Sequence, residues 1–117
     1  MQPAIWGLVS GLLLSFANVH AQRPDASVLR TMLFDRDPEI RVKAAEGLGR
    51  VGGRQAVVIL REGLTDGNAS VRIAIVEALG FIGGGLAMNV LSESLKDNNP
   101  EVRIRAVEAL KDAGTVN

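Results

Sequence analysis

The sequence predicts an all-α protein, an α-solenoid of about three helical hairpins preceded by an N-terminal apolar segment. Seven positions recur with period 31 over three copies, and each copy holds two helical stretches joined by a short polar turn. The recurring positions are Leu29, Leu60 and Leu91; Leu33, Leu64 and Leu95; Asp35, Asp66 and Asp97; Ile40, Val71 and Val102; Arg41, Arg72 and Arg103; Glu46, Glu77 and Glu108; and Leu48, Leu79 and Leu110. A fixed period of this size indicates stacked units that share one core.

The first segment, residues 1–21, contains no Lys, Arg, Asp or Glu. Its apolar run from Ala4 to Phe16 is followed by Val19-His20-Ala21, in which small residues stand two apart as at a signal cleavage site. We therefore expect a signal peptide, cleavage near Ala21, and export to the periplasm or the cell exterior. No basic residue precedes the apolar run, which departs from that pattern. An uncleaved membrane anchor and a first solenoid helix are the alternatives.

Residues 22–117 are expected to form the repeat domain, with repeats at about 24–53, 54–84 and 85–114. The first helix of each hairpin is predicted over roughly Ala26–Phe34, Gln55–Leu64 and Leu86–Leu95. The turns that follow, DRD, DGN and DNN, are short and polar. No pattern typical of strands competes with this prediction.

The second helix of each hairpin carries clear start and stop signals. It is predicted to begin at the N-caps Asp37, Asn68 and Asn99, whose side-chain oxygens can accept from free backbone N–H groups. Proline follows two of these caps, a position where it needs no N–H. The glycines at 52–53, 83–85 and 114 are predicted to end the helices. Gly83-Gly84-Gly85 follows a helix rather than a strand, so we interpret it as a terminator and not a phosphate loop.

A helical wheel separates two sides of the second helix. The predicted packing side of the first copy contains Ile40, Ala44, Gly47, Leu48 and Val51. A column of small residues, which would let neighbouring helices approach closely, is assigned to Gly47, Ala78 and Ala109.

The recurring motif L-x-D followed by D/N-P-E-V-R-x-x-A-x-E-A-L-G-x-I-G resembles the HEAT-like repeats first recognised in phycobilisome lyases. The resemblance extends from Pro24 to Gly114. It implies an α-solenoid whose second helices line a concave, ligand-facing surface. It also implies a structural ladder in which aspartates pair with arginines, within or between repeats. The ladder residues are Asp35, Asp66 and Asp97 with Arg41, Arg72 and Arg103.

Composition argues against several classes of function. The 13 Lys and Arg balance the 13 Asp and Glu, which does not favour nucleic acid or an anionic membrane as partner. There is no Cys, and the single histidine, His20, lies in the predicted signal peptide, so the repeat domain lacks imidazole for metal binding or base catalysis. Its only aromatic residues are Phe34 and Phe81, a poor supply for base stacking. We expect no cofactor, no metal, no nucleic acid and, after signal removal, no membrane partner.

An apolar column on the side opposite Ile40 is the best candidate for a functional surface. Val42, Ile73 and Ile104 are β-branched and apolar where solenoids usually carry polar residues, and charged residues flank them. An apolar stripe with a charged rim is typical of a surface that binds a protein or peptide. A partly covered column and a solvated charged face are the structural alternatives. The predicted partner-contacting residues are Val42, Lys43, Glu46, Ile73, Ala74, Glu77, Phe81, Ile104, Arg105 and Glu108.

The sequence thus predicts an exported, non-enzymatic module that binds a protein through its second-helix face. One alternative is a subunit or fragment of an enzyme resembling the bilin lyases. Another is a purely structural unit that self-associates through incompletely capped ends, although Lys111 and Asp112 resemble polar capping of the last helix.

Overall fold

The computed structural model describes residues 24–115, and these form six α-helices in three antiparallel hairpins with no strand among them. The predicted signal peptide lies outside the described residues. The first helices of the hairpins are α1 (Ala26–Leu33), α3 (Gly53–Glu62) and α5 (Gly84–Ser94), and the second helices are α2 (Pro38–Val51), α4 (Ala69–Ile82) and α6 (Pro100–Thr115). A 3₁₀ turn over Gly63–Thr65 continues α3. The predicted fold class is confirmed.

The second helices begin where the sequence predicts. The side-chain oxygens of Asp37, Asn68 and Asn99 accept hydrogen bonds at 2.8–2.9 Å from the backbone N–H two residues further on. Each cap satisfies one of the donors that a helix start leaves without an intrahelical partner. This local chemistry fixes the start of the second helix in every repeat.

Two of the three predicted glycine stops are confirmed. Helix α2 ends before Gly52, whose φ of 69° lies in the left-handed region, and α4 ends in the same way before Gly83 at 72°. The first helices then start at Gly53 and Gly84, two residues before the predicted starts at Gln55 and Leu86. The predicted stop near Gly114 lies at the edge of the described residues, where α6 extends to Thr115.

The core runs between the hairpins as a continuous apolar layer. Its largest fully buried side chains are contributed by all three repeats: Leu33, Leu48, Leu60, Ile75, Leu79, Leu91, Val71, Val76 and Val102. On the predicted packing side of α2, Ala44 and Leu48 are buried, and Ile40 and Gly47 are half-buried. Val51 is exposed, contrary to the prediction, because no preceding helix in the described part of the chain covers the first repeat.

Neighbouring second helices approach closely through glycine–alanine pairs. A Cβ added at Gly49 would lie 3.1 Å from Ala78 Cβ, and one added at Gly80 would lie 2.8 Å from Ala109 Cβ. The prediction for Ala78 and Ala109 is therefore confirmed, but their small partners are Gly49 and Gly80. Gly47 was assigned wrongly to the helix–helix contact, since a Cβ there would meet Leu29 of its own hairpin at 2.9 Å.

The predicted ladder joins consecutive repeats. Arg41 Nε and Nη2 donate to the Asp66 carboxylate at 2.7 and 3.1 Å, and Arg72 donates to Asp97 in the same way at 2.9 and 3.1 Å. Within a repeat the arginine Nη1 donates instead to the aspartate backbone carbonyl, at 2.8 Å for Arg41 to Asp35. Arg41 and Arg72 therefore each fix their own turn and the turn of the next repeat, whereas Arg103 donates only to the Asp97 carbonyl of its own turn.

Burial gives this ladder more weight than surface ion pairs have. The side chains of Arg72 and Asp97 are 11% and 12% exposed. Burial raises the pKa of the Asp97 carboxyl, but hydrogen bonds from Arg72 and the Asn99 backbone N–H, with the charges of Arg72 and Arg103, outweigh it and lower the pKa below the ordinary value. Asp97 therefore stays ionised and bound to the neighbouring repeat.

None of the helices in residues 24–115 is both apolar and long enough to cross a bilayer.

Candidate functional site on the second-helix face

Two grooves run between the exposed sides of the second helices. The α2–α4 groove encloses about 610 Å³ and the α4–α6 groove about 470 Å³. The first is lined by Val42, Glu46, Gly49, Arg50, Ser70, Ala74, Glu77, Ala78 and Phe81. The second is lined by Glu77, Gly80, Phe81, Arg105, Glu108, Ala109, Asp112 and Thr115. The two grooves share Glu77 and Phe81, which form the ridge between them.

Small residues create the floors of these grooves. Gly49 and Ala78 lie on the floor of the first groove, and Gly80 and Ala109 on that of the second. Because these pairs let the helix backbones approach within van der Waals contact, no large side chain fills the space above them. The glycine–alanine pairs that let neighbouring second helices pack closely therefore also produce the two grooves on the second-helix surface.

Phe81 is the most prominent apolar side chain on this surface. It is 71% exposed, the largest exposed fraction among the large apolar side chains of residues 24–115. Its position near the end of α4, just before the Gly83 reversal, places it at the margin of both grooves. A solvent-exposed aromatic ring at the edge of two grooves can gain much of the free energy of transfer from water to an apolar environment when a partner covers it.

The solvent exposure of the apolar column predicted at 42, 73 and 104 differs from one repeat to the next. Val42 and Ile73 are half-buried and pack against the core, whereas Ile104 is 60% exposed. The helices of Val42 and Ile73 are each followed by another second helix in the stack, whereas no described helix follows α6, which carries Ile104. Ala74 is buried in the floor of the first groove.

The charged rim is held by contacts across the second groove. The Arg105 guanidinium lies 3.5 Å from Glu77 on the neighbouring helix, and 3.6 and 3.9 Å from Glu101 and Glu108 on its own helix. At the first repeat, Lys43 pairs with Glu46 at 3.8 Å. All of these side chains are more than one-third exposed, so the pairs contribute little stability and stay available to a partner.

The structure brings together most, but not all, of the predicted site residues. Val42, Glu46, Ala74, Glu77, Phe81, Arg105 and Glu108 line the two grooves. Ile104 lies beside Arg105 and Glu108 on the outer side of α6. Lys43 faces a separate depression next to α1, and Ile73 lines neither groove.

Sequence reasoning missed the groove floors and one wall. Gly49, Ala78, Gly80 and Ala109 were considered only as packing residues or not at all, and Arg50, Ser70 and Asp112 were left outside the site. The signal available in the sequence is the equal step along the chain from Gly49 to Ala78 and from Gly80 to Ala109. This step is slightly shorter than the repeat period, and the contacts between the helices are needed to recognise that it pairs a glycine with an alanine.

Across residues 24–115, no cluster of three or more His, Cys, Asp or Glu side chains is arranged to hold a metal ion.

A family model described as HEAT repeats matches residues 26–111 of the chain. A search of curated proteins found no match.

Proposed function

The chain belongs to the HEAT-repeat family, and on that premise we propose that it is a non-enzymatic module that binds a partner protein through its second-helix face. HEAT repeats commonly serve as scaffolds for protein–protein interaction and are typically structural rather than catalytic. The specific surface is the pair of grooves on α2, α4 and α6. The observation that carries the proposal is Phe81, exposed on the ridge where the two grooves meet.

The electrostatics of the grooves suggest the chemistry of the partner. Four carboxylates line them, from Glu46, Glu77, Glu108 and Asp112, against the two guanidinium groups of Arg50 and Arg105. A segment that presents an apolar side chain flanked by Lys or Arg would bury its apolar group at Phe81 and place its cations on the acidic rim. We propose a basic, amphipathic protein segment as the ligand.

The repeat subtype is proposed to be that of the phycobilisome-lyase HEAT-like repeats. The support is the motif itself, which each second helix repeats with the aspartate or asparagine cap, the arginine of the ladder and the glutamate column.

We further propose that the chain is exported after cleavage near Ala21. The support is the uncharged apolar run followed by Val19-His20-Ala21. Mass spectrometry of the mature protein from the producing cell tests this, because cleavage predicts an N-terminus near Gln22, whereas an intact N-terminal segment would contradict it.

Binding through the second-helix face is tested with a double variant, Phe81→Lys on the ridge between the grooves with Ile104→Lys beside Arg105 and Glu108, because both changes remove an apolar contact and repel a basic segment. Both side chains are more than half exposed, so the fold should tolerate the change, whereas a charge at half-buried Ile73 would disturb the core. A partner is first captured from the envelope fraction with the wild-type chain, identified and purified. We expect the double variant to raise the Kd for that partner by roughly 30-fold or more, the equivalent of about 2 kcal/mol.

The control is Val58→Lys, which places one of the same charged side chains on an exposed apolar position of the first-helix face. It should leave the Kd unchanged. Equal binding by the double variant and the wild-type chain, with both folded by circular dichroism, would remove the basis of the proposal.

A further inference from the structure

The two ends of the solenoid expose apolar positions that interior repeats bury. Val107 is 47% exposed, whereas its equivalents Ala45 and Val76 are fully buried against the repeat that follows them. At the other end Val28 is 49% exposed, whereas its equivalents Ile59 and Val90 are 4% exposed. Each end therefore presents one half of the interface that joins repeats inside the molecule.

The arginine ladder is incomplete at the same two ends. Interior pairs join Arg41 to Asp66 and Arg72 to Asp97, and the separation along the chain is 25 in both. Arg103 donates Nη1 to the Asp97 carbonyl at 2.6 Å, as Arg72 does to the Asp66 carbonyl at 2.6 Å. Within residues 24–115 no carboxylate lies in ion-pair range of Arg103, and no cation lies in that range of Asp35.

Arg103 and Asp35 match each other in charge, and in register they are equivalent to the two sides of the interior pairs. We propose that a second copy of this chain stacks head to tail, so that its first repeat follows the last repeat of the first copy. The C-terminal face, formed by Leu95, Arg103 and Val107, would then pack on the N-terminal face, formed by Val28, Met32 and Asp35. Asp35 is the first-repeat equivalent of Asp66 and Asp97, which accept from the arginine of the preceding repeat. In the second copy it would therefore lie where the ladder requires the carboxylate partner of Arg103.

The apolar contacts continue in the same register. Inside the molecule Leu33 lies 3.2 Å from the Cβ position of Gly63 in the next repeat, and the corresponding junction residues are Leu95 and the partner's Met32. A shallow cavity of about 480 Å³ lies beside Met32 on the N-terminal face, with Leu29, Gly47 and Val51 in its lining. Lys43 and Arg50 also line this depression, and its apolar part would receive the exposed apolar side chains of the C-terminal face.

The junction is weaker than the contacts inside the chain. Lys111 occupies the position of Gly49 and Gly80, so its side chain must turn aside where the helices would approach most closely. It faces the partner's Gly47, so one residue of this pair still lacks a Cβ. Because the contact is head to tail and continues the stacking direction of the repeats, each added copy leaves a free end for another, and the product is a reversible linear array rather than a fixed dimer. This surface is distinct from the grooves of the proposed function.

Sedimentation velocity of the mature chain, purified from the producing cell, over a range of concentrations tests the proposal. The wild-type weight-average mass should rise with concentration past that of a dimer. Asp35→Arg and Arg103→Asp each place like charges at the junction, and each should weaken association by roughly 30-fold or more, the equivalent of about 2 kcal/mol. Mixed in equal amounts, the two variants restore opposite charges at every mixed junction and should associate again.

Arg54→Asp, an exposed reversal in the middle repeat, controls for net charge and should associate as the wild-type chain does. Circular dichroism establishes that each variant is folded, and Arg103→Gln replaces Arg103→Asp if the latter melts early. A wild-type chain that stays monomeric at every concentration, association that survives both reversals, or a mixture that stays dissociated would each overturn the proposal.

Discussion

At the scale of single residues, the arginine ladder shows how one side chain joins two repeats. The sequence establishes which aspartates and arginines recur, but not whether they pair within a repeat or between repeats. The distance along the chain favours neither, since a guanidinium close to an aspartate in its own hairpin can also reach the next hairpin. The observed arrangement uses both, with the backbone carbonyl of the near aspartate and the carboxylate of the far one.

Removing Arg72 should be strongly destabilising, because it leaves the Asp97 carboxylate mostly buried without its bidentate donor. We expect Arg72→Ala to lower the free energy of unfolding by about 3 kcal/mol. Arg61→Ala is the control, since Arg61 pairs with Glu93 of the next repeat at 2.9 Å but both side chains are about half exposed. It should cost less than about 1 kcal/mol. Chemical denaturation measures both, and equal losses would contradict the role of burial.

The same pair gives a pH-dependent readout. The pKa of Asp97 is lowered in the folded chain, so its contribution to stability is present above the ordinary value of 3.8 and is lost as pH falls below that value. Denaturation at pH 6 and at pH 3 should therefore show a smaller pH-dependent loss in Asp97→Asn than in the wild-type chain. An identical loss in the two proteins would show that other carboxyls carry the acid sensitivity.

At the scale of helices, capping chemistry made the second helices predictable, whereas the starts of α3 and α5 were predicted two residues too late. Asp37, Asn68 and Asn99 form caps whose geometry depends only on neighbouring residues. Gly53 and Gly84, by contrast, are poor helix formers, and with φ values of 81° and 86° they share the positive φ of the glycine before them, so nothing local predicts them as the first residues of a helix. The roles of Gly49 and Gly80 were also missed, since nothing in their local sequence indicates that they are contact points between helices.

Two glycine substitutions should have opposite signs. Gly80→Ala places a Cβ 2.8 Å from Ala109 Cβ and 3.0 Å from its Cα, so we expect a loss of about 1–3 kcal/mol through overpacking between α4 and α6. Gly85→Ala, in α5, meets no atom within 4 Å and should gain about 0.4–1 kcal/mol. Thermal melts followed by circular dichroism measure both changes. Stabilisation by both would show that the second helices are not in close contact.

At the scale of the whole molecule, the repeat period was enough to predict three stacked hairpins with a shared core. It was not enough to locate the grooves, because their floors depend on the shorter step from Gly49 to Ala78 and from Gly80 to Ala109. The different solvent exposures along the apolar column at 42, 73 and 104 could not be predicted from the period either. Position in the stack, not residue type, decides that Ile73 is half-buried and Ile104 exposed.

Site-specific photocrosslinking tests the central claim, binding through the second-helix face, most directly. A photoreactive p-benzoylphenylalanine replaces Phe81 in one protein and Val58, on the first-helix face, in another, and both are irradiated in the producing cell. We expect a discrete crosslinked partner protein from position 81 and none from position 58. Crosslinking of the partner from position 58 alone, with none from position 81, would contradict the claim.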